Sequence, residues 1–375
     1  MHKTVVCLLA LMMLLTLPVY AVGYDLDAEH KVGAKAAIVM DAATGRVLFA
    51  QNERERLPMA STTKIMTALI ALEQDDVEVP FEVDPAAIKV EGSSMGLREG
   101  DTACLHALSV GMLLHSGNDA ANAVAVRISG SIPAFAEKMN ERAGAIGMKD
   151  SSFQTPSGLD GEQHYSTAYD MALLAREAIS NEAFVAICSQ YKLRASYGNP
   201  PYSRWLTNHN KLLGYYDGAF GVKTGFTKKS GRCLVSAARR DGIELICVTL
   251  GCPDDWNVHQ NLYDRFFGEL VMKNLTEDMP AATVPVVGGT SSTVSALPCE
   301  EASLAIPKQG ANVKYELCLD PFLYAPVENG QYLGEVHIFL NDERVFTTPL
   351  IAGQDVALLH EYKESMWERL KDWAS

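Results

Sequence analysis

In the stretch RLPMASTTKIMTAL, Ser61 stands three residues before Lys64. Residues at that spacing share a helix face, so the hydroxyl and the amine can meet. A serine hydroxyl is a weak nucleophile until a neighbouring base takes its proton. A lysine becomes such a base when burial or a second cation lowers its pKa. The apolar run after Lys64 would supply the burial, and a helix N-terminus would offer Ser61 unpaired N–H groups to stabilise an oxyanion. Taken alone, the pair reads more simply as a helix cap and a snorkelling lysine.

Two other groups carry comparable potential. LLHSGNDAAN interrupts two apolar helices with Ser116, Gly117 and Asn118. As plain structure this is a tight exposed turn. As chemistry, Asn118 offers its amide to a substrate carbonyl, and Ser116 passes a proton toward a leaving nitrogen. GVKTGFT places Lys223, Thr224 and Gly225 at the end of an apparent strand. Lys223 and Thr224 offer a charge and a hydroxyl to a carboxylate, while Gly225 removes bulk where a ligand backbone would lie alongside the strand. GAFGVKT faintly resembles a phosphate-binding loop. Val222 occupies the place where that loop needs glycine, and strand rather than helix follows, so the nucleotide reading is rejected.

The elements that must position these groups can be read from periodicity. KAAIVMDAATGRVLFAQN is a hairpin, two apolar segments around a Gly45 turn. TTKIMTALIALEQ carries a broad helical stripe through Ile65, Met66, Leu69, Ile70 and Leu72. LHALSVGMLLH, DAANAVAVRIS, IPAFAEKMNERAGAIG and YDMALLAREAISN give four further helices. GAFGVKTGF, RCLVSAARR and IELICVTLG are short β-rich runs, the last two joined by Asp-Gly, a strong hairpin signal. Strands at both ends and helices between predict an α+β fold, one antiparallel sheet with helices packed on it. Around Met279 to Ser295 the chain turns to Pro, Gly, Ser and Thr, a linker or the opening of a second domain. Residues 294–350 read as a small all-β sandwich. The final segment, 354–375, reads as an amphipathic helix with Val356, Leu359, Tyr362, Met366, Leu370 and Trp373 on one face. It either lies in a membrane interface, giving peripheral membrane contact, or docks on the sandwich. Its mixed charges weaken attraction to anionic lipid.

The chain has 375 residues and a formal net charge of −14. That length suggests two domains, and the acidity argues against nucleic acid as a partner. Residues 1–21 have a short basic start, an apolar run shorter than the ~20 residues of a membrane span, and a small-residue site near Ala21. This layout predicts a cleaved signal peptide and an extracytoplasmic protein. The cysteines after it, Cys104, Cys188, Cys233, Cys247, Cys252, Cys299 and Cys318, are odd in number, so a monomer cannot pair them all. Most read as small buried apolar residues. A Cys299–Cys318 bridge is one pairing the count leaves open. No CxxC or His cluster points to a metal site, and no cofactor is expected.

Together, SxxK, SxN and KTG in this order form the signature of penicillin-binding proteins and class A β-lactamases. The chain resembles a low-molecular-mass penicillin-binding protein, a serine D-alanyl-D-alanine carboxypeptidase of the β-lactamase/DD-peptidase superfamily. VEGSSMGLREGD, TPSGLDGEQHYSTAYDMALLAR and NHNKLLGYYDGAFGVKTGFTKKSGRCLVSAARRDG carry the likeness as well. It is strong over 30–275, the catalytic domain, and looser over the β-rich 281–352 and the terminal helix. The resemblance implies that Ser61 attacks the penultimate D-alanine carbonyl of a peptidoglycan stem peptide, with Lys64 as general base. Ser116 and Lys223 would relay the proton, and Asn118 would hold the substrate. Lys223 and Thr224 would lie near the terminal carboxylate. The N–H groups of Ser61 and Phe226 would form the oxyanion hole. A β-lactam would acylate Ser61 and stall there as a covalent inhibitor. Some relatives have histidine where Phe226 stands. Only the backbone is needed there, so retained activity with altered substrate preference is expected.

Two competing readings share these motifs. A β-lactamase needs a carboxylate to drive deacylation, and Glu162 in TPSGLDGEQHYS lacks the expected surrounding pattern. A wall-binding or β-lactam-sensing module would be acylated without turning over.

Overall fold

The computed structural model describes residues 31–359. The signal peptide expected over 1–21 and residues 360–375 of the expected terminal helix lie outside that range. The chain divides into two compact units, Met1–Gly268 and Glu269–Ser375.

The first unit begins with the expected hairpin, β1 (Ala36–Asp41) and β2 (Val47–Gln51). A 3-10 turn, Ala60–Thr63, leads directly into α1 (Lys64–Leu72). Two short strands follow, β3 (Phe81–Glu82) and β4 (Thr102–Ala103). Then come the helices α2 (Leu105–His115), α3 (Asn118–Ser129), α4 (Ile132–Ile146), α5 (Ala168–Ile179) and α6 (Glu182–Cys188). A hairpin of β5 (Lys192–Gly198) and β6 (Pro201–Thr207) precedes the short α7 (Leu212–Tyr215). The strands β7 (Ala219–Thr227), β8 (Gly231–Arg240) and β9 (Ile243–Leu250) and the helix α8 (Asp255–Glu269) complete it. The main sheet is antiparallel, ordered β2-β1-β9-β8-β7, so strands from the two ends of the unit meet as β1 against β9.

Helix boundaries follow their capping residues. Ser131 accepts from the Ala134 N–H at the start of α4, Thr167 from Asp170 before α5, and Asn181 from Phe184 before α6. Each cap satisfies an N–H that the first helical turn leaves unpaired. Helix α1 is buried at every position from Lys64 to Leu72, not along one stripe. A helix that is apolar all round belongs in the middle of a core. Ile65, Met66 and Leu69 there join Leu108, Leu113, Val124, Phe135, Val235 and Ile246 in a single cluster. Truncating such a side chain to alanine costs roughly 2–5 kcal/mol. The amine of Lys64 is carried into this apolar surrounding by its own helix.

The second unit is all-β. The strands β10 (Leu270–Asn274) and β13 (Ser303–Pro307) form a two-stranded sheet. A six-stranded sheet is ordered β14-β16-β17-β12-β11-β15, from β11 (Ala282–Val287), β12 (Thr293–Pro298), β14 (Val313–Leu319), β15 (Leu323–Tyr324), β16 (Tyr332–Leu340) and β17 (Glu343–Ala352). Burial alternates strictly along β11, with Ala282, Val284 and Val286 inward, the signature of a sheet covered on one face. Leu304 and Ile306 of β13 share a core with Val284, Val336, Ile338 and Leu350.

Several expectations change here. The Pro- and Gly-rich run from Met279 to Ser295 is not a free linker but contains β11 and the start of β12. Residues at the head of the expected terminal helix are extended: Val356 bridges to Val327 and Leu358 to Gly289. Val356 is buried in the β core, so it belongs to that core's alternation and not to a helical stripe. Cys299 and Cys318 are both free and exposed, which removes the bridge left open by the count, while Cys188, Cys233, Cys247 and Cys252 are buried as expected. The β5–β6 hairpin and α8 were not anticipated.

Candidate active site

Ser61 occupies the 3-10 turn ahead of α1, preceded by Ala60 in the left-handed backbone region (φ 50°). Ser116 closes α2 in the same region (φ 61°). Left-handed backbone costs a non-glycine residue about 1–2 kcal/mol, and such strain gathers at functional sites.

Lys64 is fully buried, and its Nζ lies 3.0 Å from Ser61 Oγ. It donates to Asn118 Oδ1 at 2.7 Å and to the Ser157 carbonyl. The Asn118 amide orientation is fixed from its other end, because Nδ2 donates to the Glu91 carbonyl at 2.6 Å. Both acceptors on Lys64 can therefore only accept. A neutral amine has two N–H groups and one lone pair. Spending the two N–H groups on Asn118 and Ser157 leaves the lone pair for the Ser61 hydroxyl. Burial, aided by the charge of Lys223, holds the Lys64 amine well below its ordinary pKa, against the opposing pull of Asp119. A lysine held below its ordinary pKa and within reach of a serine hydroxyl is placed to act as that hydroxyl's base.

Lys223 is buried as well, and burial lowers its pKa to about 7. It donates to Ser116 Oγ at 3.1 Å and to the Thr224 carbonyl at 2.7 Å. It lies in mid-strand on β7, not at a strand end. Thr224 is half-buried, and Phe226 is 65% exposed. A side-chain carbon added to Gly225 would stand 3.0 Å from the Ser61 nitrogen and 3.0 Å from the Met59 carbonyl. Gly225 thus makes room for the nucleophile's own turn, where the sequence suggested room for a ligand.

Sequence reasoning missed several supporting groups. Asp119 accepts from the backbone N–H groups of Met95, Gly96 and Leu97, and from Ser94 Oγ. This fastens the 93–97 loop, whose Ser93 carbonyl accepts from the Asn118 N–H. His164 is buried. Its Nδ1 accepts from the Gln154 N–H, so in the neutral ring Nε2 donates to Thr63 Oγ1 at 2.9 Å. That bond ties the 154–158 loop to the turn bearing Ser61. Burial, then the charge of Lys64, lowers the His164 pKa to about 4. Glu162, the carboxylate weighed for a β-lactamase, is exposed. Among the described residues no carboxylate bonds to Ser61 or Lys64.

A profile of D-alanyl-D-alanine carboxypeptidases matches residues 25–254, and one of the penicillin-binding protein 5 C-terminal domain matches 272–358. The chain belongs to the D-alanyl-D-alanine carboxypeptidase family. It is 33% identical to the D-alanyl-D-alanine carboxypeptidase DacF of Bacillus subtilis, over 86% of each chain. It is 34% identical to DacC of Escherichia coli, over 87% of this chain and 84% of that one. Penicillin-binding protein 5 from Haemophilus influenzae has the same fold, with a TM-score of 0.71 at 28% identity over 88% of this chain and 99% of that chain. As a member of this carboxypeptidase family the protein is a serine-type hydrolase of D-Ala-D-Ala peptide ends and a penicillin-binding protein of cell-wall metabolism.

Proposed function

We propose that this carboxypeptidase works through an acyl-enzyme on Ser61. The observation that carries the proposal is the buried Lys64 Nζ, 3.0 Å from Ser61 Oγ, which in its neutral form would spend both N–H groups on Asn118 and Ser157 and keep its lone pair for that hydroxyl. In the first step the Ser61 Oγ–H proton passes to Lys64 as Oγ bonds to the carbonyl carbon of the penultimate D-alanine. The N–H groups of Ser61 and Phe226 stabilise the resulting oxyanion. The C–N bond then breaks as Ser116, bonded to Lys223, gives its hydroxyl proton to the departing D-alanine nitrogen and recovers one from Lys64, which is neutral again. Lys223 and Thr224 bind the terminal carboxylate, and the second N–H of Asn118 Nδ2 is available to the substrate backbone. Water then attacks the ester, its proton passes to the again-neutral Lys64, and that proton returns to Ser61 Oγ as the ester bond breaks. A β-lactam would form the same ester but keep its leaving nitrogen tethered, and so remain on the enzyme as an inhibitor.

The test supplies purified protein with a pentapeptide ending in D-Ala-D-Ala and with a fluorescent penicillin. Free D-alanine together with a long-lived label, both lost in Ser61→Ala, supports the proposal. Labelling of Ser61→Ala would show the nucleophile to be wrong. Fast penicillin turnover would point to a lactamase, and a label without D-alanine release to a sensor.

We also propose that the enzyme acts outside the cytoplasmic membrane, from the three-part layout of residues 1–21, and that residues 360–375 hold it to that membrane's outer face. Truncation after Leu359, which keeps Val356 and Leu358 in place, is expected to move the protein to the soluble fraction. Unchanged fractionation would overturn the anchoring role.

A further inference from the structure

No Asp or Glu occurs between Glu182 and Asp217, although the chain as a whole carries a net −14. That interval holds four cations, Lys192, Arg194, Arg204 and Lys211. Three of them lie on the β5–β6 hairpin, and two, Lys192 and Arg194, share its outer face with an exposed tryptophan. Arg194 stands directly opposite Trp205, Lys192 opposite Thr207, and Ser196 opposite Ser203. Cross-strand partners share a sheet face, so these six residues form one surface. All six are exposed, and Trp205 is 59% exposed. Leu193, Ala195, Tyr197 and Leu206 point the other way and pack on the core. Lys192 Nζ and Arg194 Cζ lie 5.2 and 5.6 Å from the indole centre. Neither cation pairs with a carboxylate among the described residues.

This face is fastened to the active site from both sides. Tyr197 donates from its hydroxyl to the Met95 carbonyl at 2.6 Å, in the loop that Asp119 holds beside Asn118. Just past β6, Asn210 Nδ2 donates to the Gly221 carbonyl at 2.8 Å, two residues before Lys223.

We propose that the outer face of the β5–β6 hairpin is a docking surface for a peptidoglycan strand, separate from the cleft that takes its peptide end. The inference rests on the substrate class proposed above. An indole ring is a flat amphipathic surface on which the C–H face of a sugar ring can lie, with the hydroxyls of Ser196, Ser203 and Thr207 placed for sugar polar groups. Unpaired Lys192 and Arg194 suit the carboxylates of stem peptides on the same strand. The charge distribution selects this occupant, because a cationic patch on an acidic protein attracts a polyanion. Binding the strand here raises the local concentration of its peptide ends at Ser61.

The experiment uses the full chain carrying Ser61→Ala, so that nothing is turned over, and measures co-sedimentation with isolated wall sacculi. Trp205→Ala is expected to weaken binding roughly 5- to 10-fold, and Trp205→Phe to restore most of it. Lys192→Gln with Arg194→Gln is expected to weaken binding and flatten its salt dependence. In chains with Ser61 intact, these variants should hydrolyse a soluble D-Ala-D-Ala peptide at the parent rate, which also reports that they are folded. Parent-like sacculus binding by Trp205→Ala would overturn the proposal. So would a loss confined to vesicles of anionic phospholipid, which would make the face a membrane contact. Failure of the parent chain to release D-alanine would overturn the enzymatic reading, while the sedimentation result still reports on docking.

Discussion

Gly225 and Ser61 are packed so closely that an added side-chain carbon would stand 3.0 Å from the Ser61 nitrogen, tighter than an ordinary contact. The neighbours it would meet include backbone, which cannot rotate away, so any side chain at 225 must push β7 from the nucleophile's turn. Both groups proposed for the oxyanion hole, the N–H groups of Ser61 and Phe226, flank this contact. Gly225→Ala is therefore expected to lower kcat/KM for D-alanine release by about 10²-fold, the scale of a small misplacement of reacting groups. An unchanged kcat/KM would show that the spacing is not critical.

Asn118 offers Lys64 a neutral oxygen at 2.7 Å. Replacing it with aspartate sets a negative charge there, which favours the ammonium form and raises the Lys64 pKa. The proposed base is then protonated at neutral pH. Asn118→Asp should move the acidic limb of the kcat/KM profile to higher pH and reduce the rate at pH 7 at least tenfold. The stopped-assay profile against pH decides it, and an unshifted acidic limb would refute Lys64 as the base.

Lys223, with its pKa lowered to about 7 by burial, sets the opposite limb. Its ammonium form is the one that attracts a substrate carboxylate, and that form is lost as pH rises through 7. The parent kcat/KM should therefore decline on the alkaline side, chiefly through a rising KM. Lys223→Gln should show a low kcat/KM with no alkaline decline. A decline that persists in this variant would assign the titration elsewhere.

Two buried histidines predict the acid limit of stability. His164 is lowered to about 4 and His259 to about 3, in both cases first by burial. His259 is held neutral among Ser236 and Thr249, the two hydroxyls its ring nitrogens meet. A depressed folded-state pKa means that the unfolded chain binds more protons below pH 6.5. Stability is thus fully present above pH 6.5 and falls as pH drops toward 4, by roughly 3 kcal/mol for His164 alone. The melting temperature should follow, and His259→Gln should flatten the slope. A melting temperature independent of pH from 6.5 to 4 would contradict the buried neutral rings.

Much of the site was legible because its chemistry demands particular side chains. The proposed nucleophile and base are a serine and a lysine one turn apart, a pairing visible in the sequence itself, and Asn118, Lys223 and Gly225 came with their own motifs. Ser157 and Glu91 were not legible, because they act through backbone carbonyls that any residue could provide. His164 looked like any core histidine until the fold brought it to Thr63. The main sheet was readable from period-2 runs joined by short turns. The β5–β6 hairpin was hidden by the Pro200-Pro201 pair, which argues against a strand interior. Val356 misled because an apolar residue at i, i+3 spacing fits a helix, whereas its burial comes from the β core beneath it.

The groups that hold Lys64 beside Ser61 belong to the protein itself, the Asn118 amide and the Ser157 carbonyl. On the proposed mechanism an arriving peptide has no base to assemble before reaction. On the same mechanism, preference among peptides is decided by how firmly each chain end seats against Lys223, Thr224 and the exposed ring of Phe226, so selectivity can be retuned at the rim without touching the reactive centre.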